Sequence, residues 1–275
     1  MGFQINTNTA ANTAYRNLSG MQNDMSKSLE KLSSGLRINR AADDAAGLSI
    51  AEGLRSQVNG LGVAARNAQD GISVVQTAEG ALSEVHSILQ RVRDLAVQSG
   101  NDSNNADARA AIQTEVTALG DELSRIATST NFNGTELLSS TATSLTFQVG
   151  AGSVAGNDQI TVAATNVEAV ATAVQGLAFG DSAAALTSIA AIDAQIKDVS
   201  TARSGLGAVQ NRFESAINSI NVSQENLAAA ESRIRDTDMA KEMASFTRSN
   251  ILSQAGTAML AQANQMNQGV LQLLR

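Results

Sequence analysis

The feature that most constrains this fold is a long heptad pattern in a chain without proline. The 275 residues contain no proline, and apolar residues recur every three and four positions over long stretches. A proline inside a helix costs about 3 kcal/mol, so its absence permits long uninterrupted helices. Alternating steps of three and four place apolar side chains along one seam, as in coiled coils. The sequence therefore predicts a mainly α fold.

Four segments carry this pattern, and their lengths predict an elongated rod. They run from about residue 6 to 36, 44 to 99, 107 to 128 and 184 to 234. The second would be about 84 Å long at about 1.5 Å per residue, which exceeds the diameter of a compact domain of this size. We therefore expect long antiparallel coiled-coil helices, with the N- and C-terminal helices paired.

The middle of the chain has a different pattern. Leu145–Val149 and Gln159–Ala163 alternate with period two, and three glycines lie between them. This pattern predicts a small β-hairpin with a long turn.

Composition argues against several functions. The formal net charge is -7, so nonspecific nucleic-acid binding is not expected. The chain has no cysteine, which excludes disulfides and thiolate metal sites. No apolar run reaches the length of a transmembrane helix, so no membrane insertion is predicted. The N-terminus lacks the basic start and apolar run of a signal peptide, so export would proceed without a cleaved signal.

No catalytic, cofactor or metal site is predicted. His86 is the only histidine. A zinc site needs several ligands and a catalytic triad needs a positioned base, so we interpret His86 as a solvated or interface residue. Asp43 and Asp44 are predicted to cap the second helix and to pair with Arg37 or Arg40, rather than to perform acid–base chemistry.

Glycines inside the second helix need a structural reason, because each costs about 1 kcal/mol of helix propensity. They do not form a phosphate-binding loop. We expect them to allow close approach of neighbouring helices. These glycines are Gly53, Gly60, Gly62, Gly71 and Gly80.

The C-terminal segment is the most informative part of the chain. Ser249–Leu274 contains no charged residue, although apolar residues repeat along it by four and three. Its other faces carry amides, which a membrane helix would leave unsatisfied, whereas a surface helix of a monomer would carry charges. The start of the first helix has the same composition. Both ends are therefore predicted to be disordered alone and to fold as they build a helical polymer.

The predicted polymer seam consists of apolar residues at heptad spacing on the two terminal helices. They are Leu18, Met21, Met25, Leu32, Leu252, Met259, Met266, Val270 and Leu273.

Three blocks of the sequence resemble the bacterial flagellins. SSGLRINRAADDAAGLSI (Ser33–Ile50) resembles their N-terminal core signature. Asn131–Gly134, following Thr130, is similar to the turn after their third helix, and Glu225–Gln265 is similar to their C-terminal core. The resemblance implies a structural subunit that self-assembles into the flagellar filament for motility. It implies no enzymatic activity and no cofactor.

The resemblance also implies a layered arrangement and a set of partners. Residues 1–42 and 238–275 would form an inner layer, 43–142 and 184–237 an outer helical layer, and 143–183 a short variable region. The chain would be exported unfolded through the flagellar type III apparatus and fold at the filament tip, outside the cell. Its partners would be other copies of itself, an export chaperone, the filament cap and the hook-associated proteins.

Leu89–Gln98 (LQRVRDLAVQ) is similar to the flagellin segment that the vertebrate Toll-like flagellin receptor recognises. Asp94 replaces the commoner glutamate. As a native role we expect lateral contacts between neighbouring subunits, and the resemblance implies receptor contacts from the same residues. They are Gln90, Arg91, Leu95, Gln98 and, on the neighbouring helix, Glu115.

Two other functions stay open from the sequence. A hook–filament junction protein would share the terminal architecture. A signalling coiled coil of the chemoreceptor type would need a membrane span or charged e and g positions throughout. The unbroken match at Leu89–Gln98 and Glu225–Gln265 favours a flagellin over the first, and the uncharged tail argues against the second.

Overall fold

The computed structural model describes the backbone of residues 8–273 and the side chains of residues 8–265. This part of the chain is mainly helical, which confirms the predicted fold class, and none of its helices is long and apolar enough to cross a membrane. The helices are α1 (Thr9–Ser34), α2 (Ala45–Ser99), α3 (Ala106–Ser129), α4 (Ala155–Asp158), α5 (Val167–Gln175), α6 (Ser182–Arg235) and α7 (Met239–Leu273). The strands are β1 (Asn131–Phe132), β2 (Thr135–Glu136), β3 (Leu145–Gln148) and β4 (Gln159–Val162).

Side-chain caps fix the starts of most of the helices, the four at α1, α2, α3 and α7 among them. Asn8, Asp44, Asn105 and Asp238 accept hydrogen bonds of 2.8 to 3.1 Å from backbone N–H groups in the first turns of α1, α2, α3 and α7. These N–H groups have no partner inside the helix, so the caps stabilise each start. At the other end of α1, Gly35 has a φ of +74°, a left-handed conformation that favours glycine and ends the helix.

Asp43 differs from its neighbour Asp44 and from the prediction. Its Oδ2 accepts hydrogen bonds from the backbone N–H groups of Arg40 at 3.0 Å and Asn39 at 3.1 Å. Asp43 therefore caps the turn before α2 instead of α2 itself. These two bonds, the Arg40 bond first, hold the pKa of the Asp43 carboxyl below its ordinary value.

The predicted ion pair of Asp43 or Asp44 with a nearby arginine is wrong. Arg40 instead pairs with Glu30 on α1, with 2.8 Å between Nε and Oε1. Arg37 donates from Nη2 to the carbonyl oxygen of Ile234 at 2.6 Å. Both arginines therefore tie the turn to the helices around it.

The structure divides into two compact units. One contains residues 57–224, and the other contains the residues before and after that range. The layer boundaries inferred from the resemblance concern positions in an assembled filament, so they stay a prediction.

The core of the 57–224 unit follows the predicted heptads. On α6, every seventh residue from Ile192 to Ile220 is buried, with at most 5% of its surface exposed. On α2, Leu82, Val85 and Leu89 are fully buried. The same cluster contains Val116 and Leu123 of α3. The period of the sequence therefore identifies the faces that pack.

The predicted β-hairpin is present. Strands β3 and β4 pair antiparallel from Leu145↔Val162 to Gln148↔Gln159. Its loop is folded around the Asp158 carboxylate, which accepts from the Val154 N–H at 3.0 Å. A Cβ at Gly150 would collide with this carboxylate, so the position requires glycine.

A helix that the sequence did not predict covers α3. Helix α5 begins after Asn166, whose Oδ1 accepts from the Ala169 N–H at 3.0 Å, and it buries Val167 and Val174 completely. Gly120 of α3 is buried where α5 crosses it, and a Cβ there would lie 2.7 Å from Cγ of Gln175. The small residue allows the two helices to approach closely.

The expectation that glycines of α2 allow a neighbouring helix to approach closely is confirmed at Gly71, which faces α6, whereas the close neighbour of Gly60 belongs to the hairpin loop. A Cβ at Gly71 would lie 2.6 Å from Cζ of Phe213, and one at Gly60 would lie 3.0 Å from Cβ of Ala151. Gly62 is less crowded, since its nearest atom, Nε2 of Gln224, lies 3.4 Å away. Gly53 and Gly80 have no described atom within 4 Å of that position, so no contact within the described chain requires them.

Two carboxylates make the turn after β2 sensitive to acid. Hydrogen bonds from Ser139 and Thr141 lower the pKa of Glu136, and bonds from the side chain and N–H of Ser140 lower the pKa of Glu168. A carboxyl with a lowered folded pKa stabilises the fold above its ordinary value of 4.5 and loses that contribution as the pH falls through the lowered value.

Replacing both glutamates, Glu136→Gln with Glu168→Gln, should therefore flatten the loss of stability below pH 4.5. Urea unfolding followed by circular dichroism at a series of pH values measures this. Glu84→Gln is the control, because Glu84 has no hydrogen-bond partner among the described residues. An unchanged acid slope in the double variant would contradict the assignment.

Candidate assembly surface

The helices α1 and α7 pack against each other in the unit that contains both ends of the chain. Asn8 helps to fix the pair, since its Nδ2 donates to the carbonyl oxygen of Ala263 at 3.0 Å. Few side chains are buried between them. Among the described side chains of the two helices, only Leu18, Ser28 and Ala263 are buried. The pair is therefore held by far less apolar burial than the heptad core of residues 57–224.

The predicted seam lies on this pair but stays partly open. Met21, Met25 and Leu32 are half-buried. Leu252 is 43% exposed and Met259 is 68% exposed. The side chains of the remaining predicted members, Met266, Val270 and Leu273, lie outside the described side chains. The described members do not form a closed core within one chain.

A groove of about 610 Å³ runs between the two helices. It contains no charged side chain. Gly256 forms part of the floor, because a Cβ at this position would lie 3.4 Å from Cδ1 of Leu18. The lining residues are Thr9, Ala10, Thr13, Ala14, Asn17, Leu18, Met21, Leu252, Ala255, Gly256 and Met259.

A second apolar surface adjoins the groove on α7. Leu252 lines both, and the second is completed by Met243, Ala244, Thr247, Arg248 and Ile251. Met243 is 50% exposed and Ile251 is 60% exposed. A contiguous exposed apolar surface of this kind marks an interaction site in a soluble protein.

The segment that follows α1 and the segment that precedes α7 are bonded to each other. Leu36 and Asp236 form an antiparallel bridge. On one side of the bridge, the N–H of Arg37 donates to the carbonyl oxygen of Arg235 at 2.6 Å. On the other side, the N–H of Thr237 donates to the carbonyl oxygen of Gly35 at 3.0 Å. The bridge holds the end of α1 next to the start of α7, so the groove can be built from segments far apart in sequence.

The residues predicted for lateral or receptor contact are mostly on one exposed face. Gln90, Arg91, Gln98 and Glu115 are exposed. Arg91 donates from both Nε and Nη2 to Oε1 of Glu115, at 3.0 and 2.7 Å, which links α2 to α3.

The prediction that Leu95 contacts a partner is wrong. Leu95 is 2% exposed and belongs to the hydrophobic core. It follows Val92 by three positions on the buried heptad face, so its side chain packs in the core and is not available to another protein. Val97, which is 52% exposed, lies on the outer face instead.

His86 lies at the edge of the same face. Its Nε2 is 2.9 Å from Nε2 of Gln90, and its Nδ1 is buried without a partner among the described residues. No cluster of three or more metal-ligating side chains occurs in the described part of the chain.

These features define a class of protein: a helical subunit whose paired terminal helices leave an uncharged groove and an adjoining apolar surface open for assembly. Family comparison then identifies it. The bacterial flagellin N-terminal helical region matches residues 5–143, and the bacterial flagellin C-terminal helical region matches residues 189–274. The chain belongs to the bacterial flagellin family, and its role is that of a structural subunit of the flagellar filament.

Individual relatives agree with this assignment. A flagellin of Halalkalibacterium halodurans is 54% identical over 98% of this chain and 99% of its own length. The crystal structure of Bacillus cereus flagellin is 32% identical, with a TM-score of 0.50 over 60% of this chain and 94% of that one.

A putative flagellar hook-associated protein from Vibrio parahaemolyticus has a similar fold. Its TM-score is 0.58 over 70% of this chain and all of its own, but it is 15% identical. At that identity the likeness shows the fold alone. Neither the junction protein nor the signalling coiled coil gains support from it.

Proposed function

We propose that α1 and α7 form the polymerisation interface of this flagellin. The observation that carries the proposal is the uncharged groove between them, together with the adjoining exposed apolar surface of α7. In a filament, neighbouring subunits would cover both. The predicted seam, including its undescribed members Met266, Val270 and Leu273, would then become interior.

Magnitudes favour a polymer over a simple dimer. Fully burying a large apolar side chain contributes about 1.5–3 kcal/mol, so each half-exposed residue on α7 offers about 1 kcal/mol. Association itself costs about 4–15 kcal/mol. A single contact through these few side chains is therefore weak. At a filament end several neighbours contact one incoming subunit, and their summed contacts would overcome the cost of association. We therefore expect growth from seeds.

The exposed face around Arg91 and Glu115 is proposed as the lateral contact between subunits. Gln90 and Gln98 flank this ion pair on α2 and supply uncharged hydrogen-bonding groups. The vertebrate Toll-like flagellin receptor would bind the same face. Leu95 would support the surface from inside rather than touch the partner.

Other proposed partners would use the same ends of the chain. An export chaperone would cover the exposed apolar residues of α7 before assembly, which otherwise promote premature association. The filament cap and hook-associated proteins would meet the terminal helices at the two ends of the filament. Export as an unfolded chain, followed by folding outside the cell, fits a helix pair with so few buried side chains.

Seeded elongation tests this function. Purified chain added to short filament fragments should lengthen them, as seen by electron microscopy. Deleting Ser249–Arg275 should abolish elongation and leave the helical signal of the 57–224 unit in place. As a control, a chain that lacks the hairpin-loop residues Gly152–Gly156 should still lengthen the fragments. A tail-deleted chain that polymerised, or a full chain that did not, would refute the proposal.

A further inference from the structure

We propose that Met243 and Met259 are oxidation sites, and that conversion of their thioethers to sulfoxides stops the chain from assembling. The inference rests on the proposed function, because it concerns how the same surface is regulated. Met259 lines the groove between α1 and α7, and Met243 lines the adjoining apolar surface. In the single chain Met259 is 68% exposed and Met243 is 50% exposed. Both side chains are therefore open to small oxidants before assembly.

Methionine is the side chain of this protein that a mild oxidant attacks first, because the chain has no cysteine and no tryptophan. Hydrogen peroxide is the oxidant of the proposed step. The thioether sulfur attacks one peroxide oxygen, the O–O bond breaks, an S–O bond forms and water leaves, so the sulfur loses the two electrons that the peroxide gains. Met21 and Met25 on α1 are half-buried, so the exposed methionines of α7 should react faster.

A sulfoxide at either position conflicts with burial in an interface. Oxidation turns a flexible apolar side chain into a polar one, whose oxygen accepts hydrogen bonds. The neighbours of Met259 one turn earlier in the groove lining, Ala255 and Gly256, have no side-chain donor. On the α1 side, the Thr13 hydroxyl already donates to the carbonyl oxygen of Thr9 at 2.9 Å. Covering a polar group without a hydrogen-bond partner is unfavourable, so neighbouring subunits should bind the oxidised surface more weakly.

Met239 provides an internal reference on the same helix. It is 47% exposed, close to the value for Met243, but it lines neither apolar surface. It lies about 30 Å along α7 from Met259, at about 1.5 Å per residue. Its oxidation therefore reports how much peroxide the chain has received, and Met239→Leu serves as the control variant.

The test compares the wild-type chain with a chain carrying Met243→Leu and Met259→Leu, since leucine has a similar volume and no sulfur. Dilute monomers are treated with hydrogen peroxide until mass spectrometry finds Met239 oxidised in most chains, quenched and added to seeds. The concentration of wild-type chain left unassembled at the plateau should rise about tenfold or more, as expected for burial of an unpaired polar group. It should stay unchanged for the double variant. Met239→Leu, treated for the same time, should lose elongation like the wild type.

Enzymatic reduction should reverse the effect. Methionine sulfoxide reductases of both stereospecificities, supplied with dithiothreitol, re-form the thioether; the sulfoxide oxygen leaves as water and the dithiol becomes a disulfide. This treatment should restore elongation of the oxidised wild-type chain. In assembled filaments the same peroxide should oxidise Met243 and Met259 more slowly than in the monomer, because neighbouring subunits would cover them.

The outcomes separate the two claims. Equal loss of elongation in the wild type and the double variant would overturn the inference. Normal elongation by wild-type chain oxidised at both positions would do the same, as would filaments in which both methionines react as fast as in the monomer. Should the leucine replacements themselves impair elongation, Met259→Gln decides: its neutral polar group takes the place of the sulfoxide, and normal elongation would refute the inference. Untreated wild-type chain that fails to elongate would refute the proposed function instead.

Discussion

Leu252→Glu should abolish seeded elongation while leaving the helical signal of the chain unchanged. Leu252 lines both the groove and the adjoining surface of α7, and it is 43% exposed in the single chain. Solvent can therefore reach a carboxylate at this position in the monomer. In the filament the same charge would be desolvated without a partner, at an effective cost of several kcal/mol. Light scattering follows elongation, and circular dichroism follows folding.

Leu186→Glu is the matched control. Leu186 is also an exposed leucine on a long helix, with 67% of its surface accessible, but it lies on α6 and lines neither apolar surface. This variant should elongate like the wild type. Equal elongation by both variants would show that the α7 surface is not buried on assembly, whereas equal failure would show only a general intolerance of added charge.

Phe213→Ala should cost the 57–224 unit about 3–5 kcal/mol of its free energy of unfolding. Phe213 is fully buried, and its ring meets that of Phe147 edge-on with centroids 5.6 Å apart. The same ring lies over Gly71, where a Cβ would be 2.6 Å from Cζ. Removing it leaves a cavity between α2, α6 and β3. Urea unfolding gives the change.

A double-mutant cycle with Gly71→Ala isolates this contact. In the wild-type background the added methyl overpacks the core and should cost about 1–3 kcal/mol. In the Phe213→Ala background the methyl has room, so the better helix propensity of alanine should instead stabilise by up to about 1 kcal/mol. Gly80→Ala, at an open position, should stabilise equally in both backgrounds. Additive effects at Gly71 and Phe213 would contradict the packing described.

The long helices could be predicted from the sequence because their information is local and repeated. Each heptad restates which face is apolar, and the missing prolines remove the alternatives. The burial of Ile192 and Phe213, three heptads apart on α6, shows how far the pattern holds. The resemblance predicts Leu95 as a contact residue, whereas the heptad pattern places it on the buried face with Val92, and its 2% exposure agrees with the pattern.

Features that depend on distant contacts could not be predicted in the same way. Helix α5 has nine residues, and an isolated helix that short is marginal in water, so its packing on α3 decides its formation. Asp43 and Asp44 are chemically alike, and only the path of the preceding turn decides that Asp44 caps α2 while Asp43 binds the N–H groups of Asn39 and Arg40.

The assembly surface lies between these cases. The sequence showed that the tail lacks charge and that both ends share this composition. It did not show the groove, because the groove depends on the Leu36–Asp236 bridge that joins two segments about 200 positions apart. The exposures of Leu252 and Met259 show that pairing of α1 with α7 leaves part of the seam unburied.

Hydrogen–deuterium exchange on monomer and filament tests the central claim most directly, namely that the chain ends become interior only on assembly. Helix pairs with few buried apolar contacts open at low free energy, whereas heptad cores open only near the global value. We predict that amides of α1 and α7 exchange rapidly in the dilute monomer and slowly in the filament. Those of α6 around Val199 and Leu206 should be protected in both. Protected terminal helices in the monomer, or unprotected ones in the filament, would contradict the account.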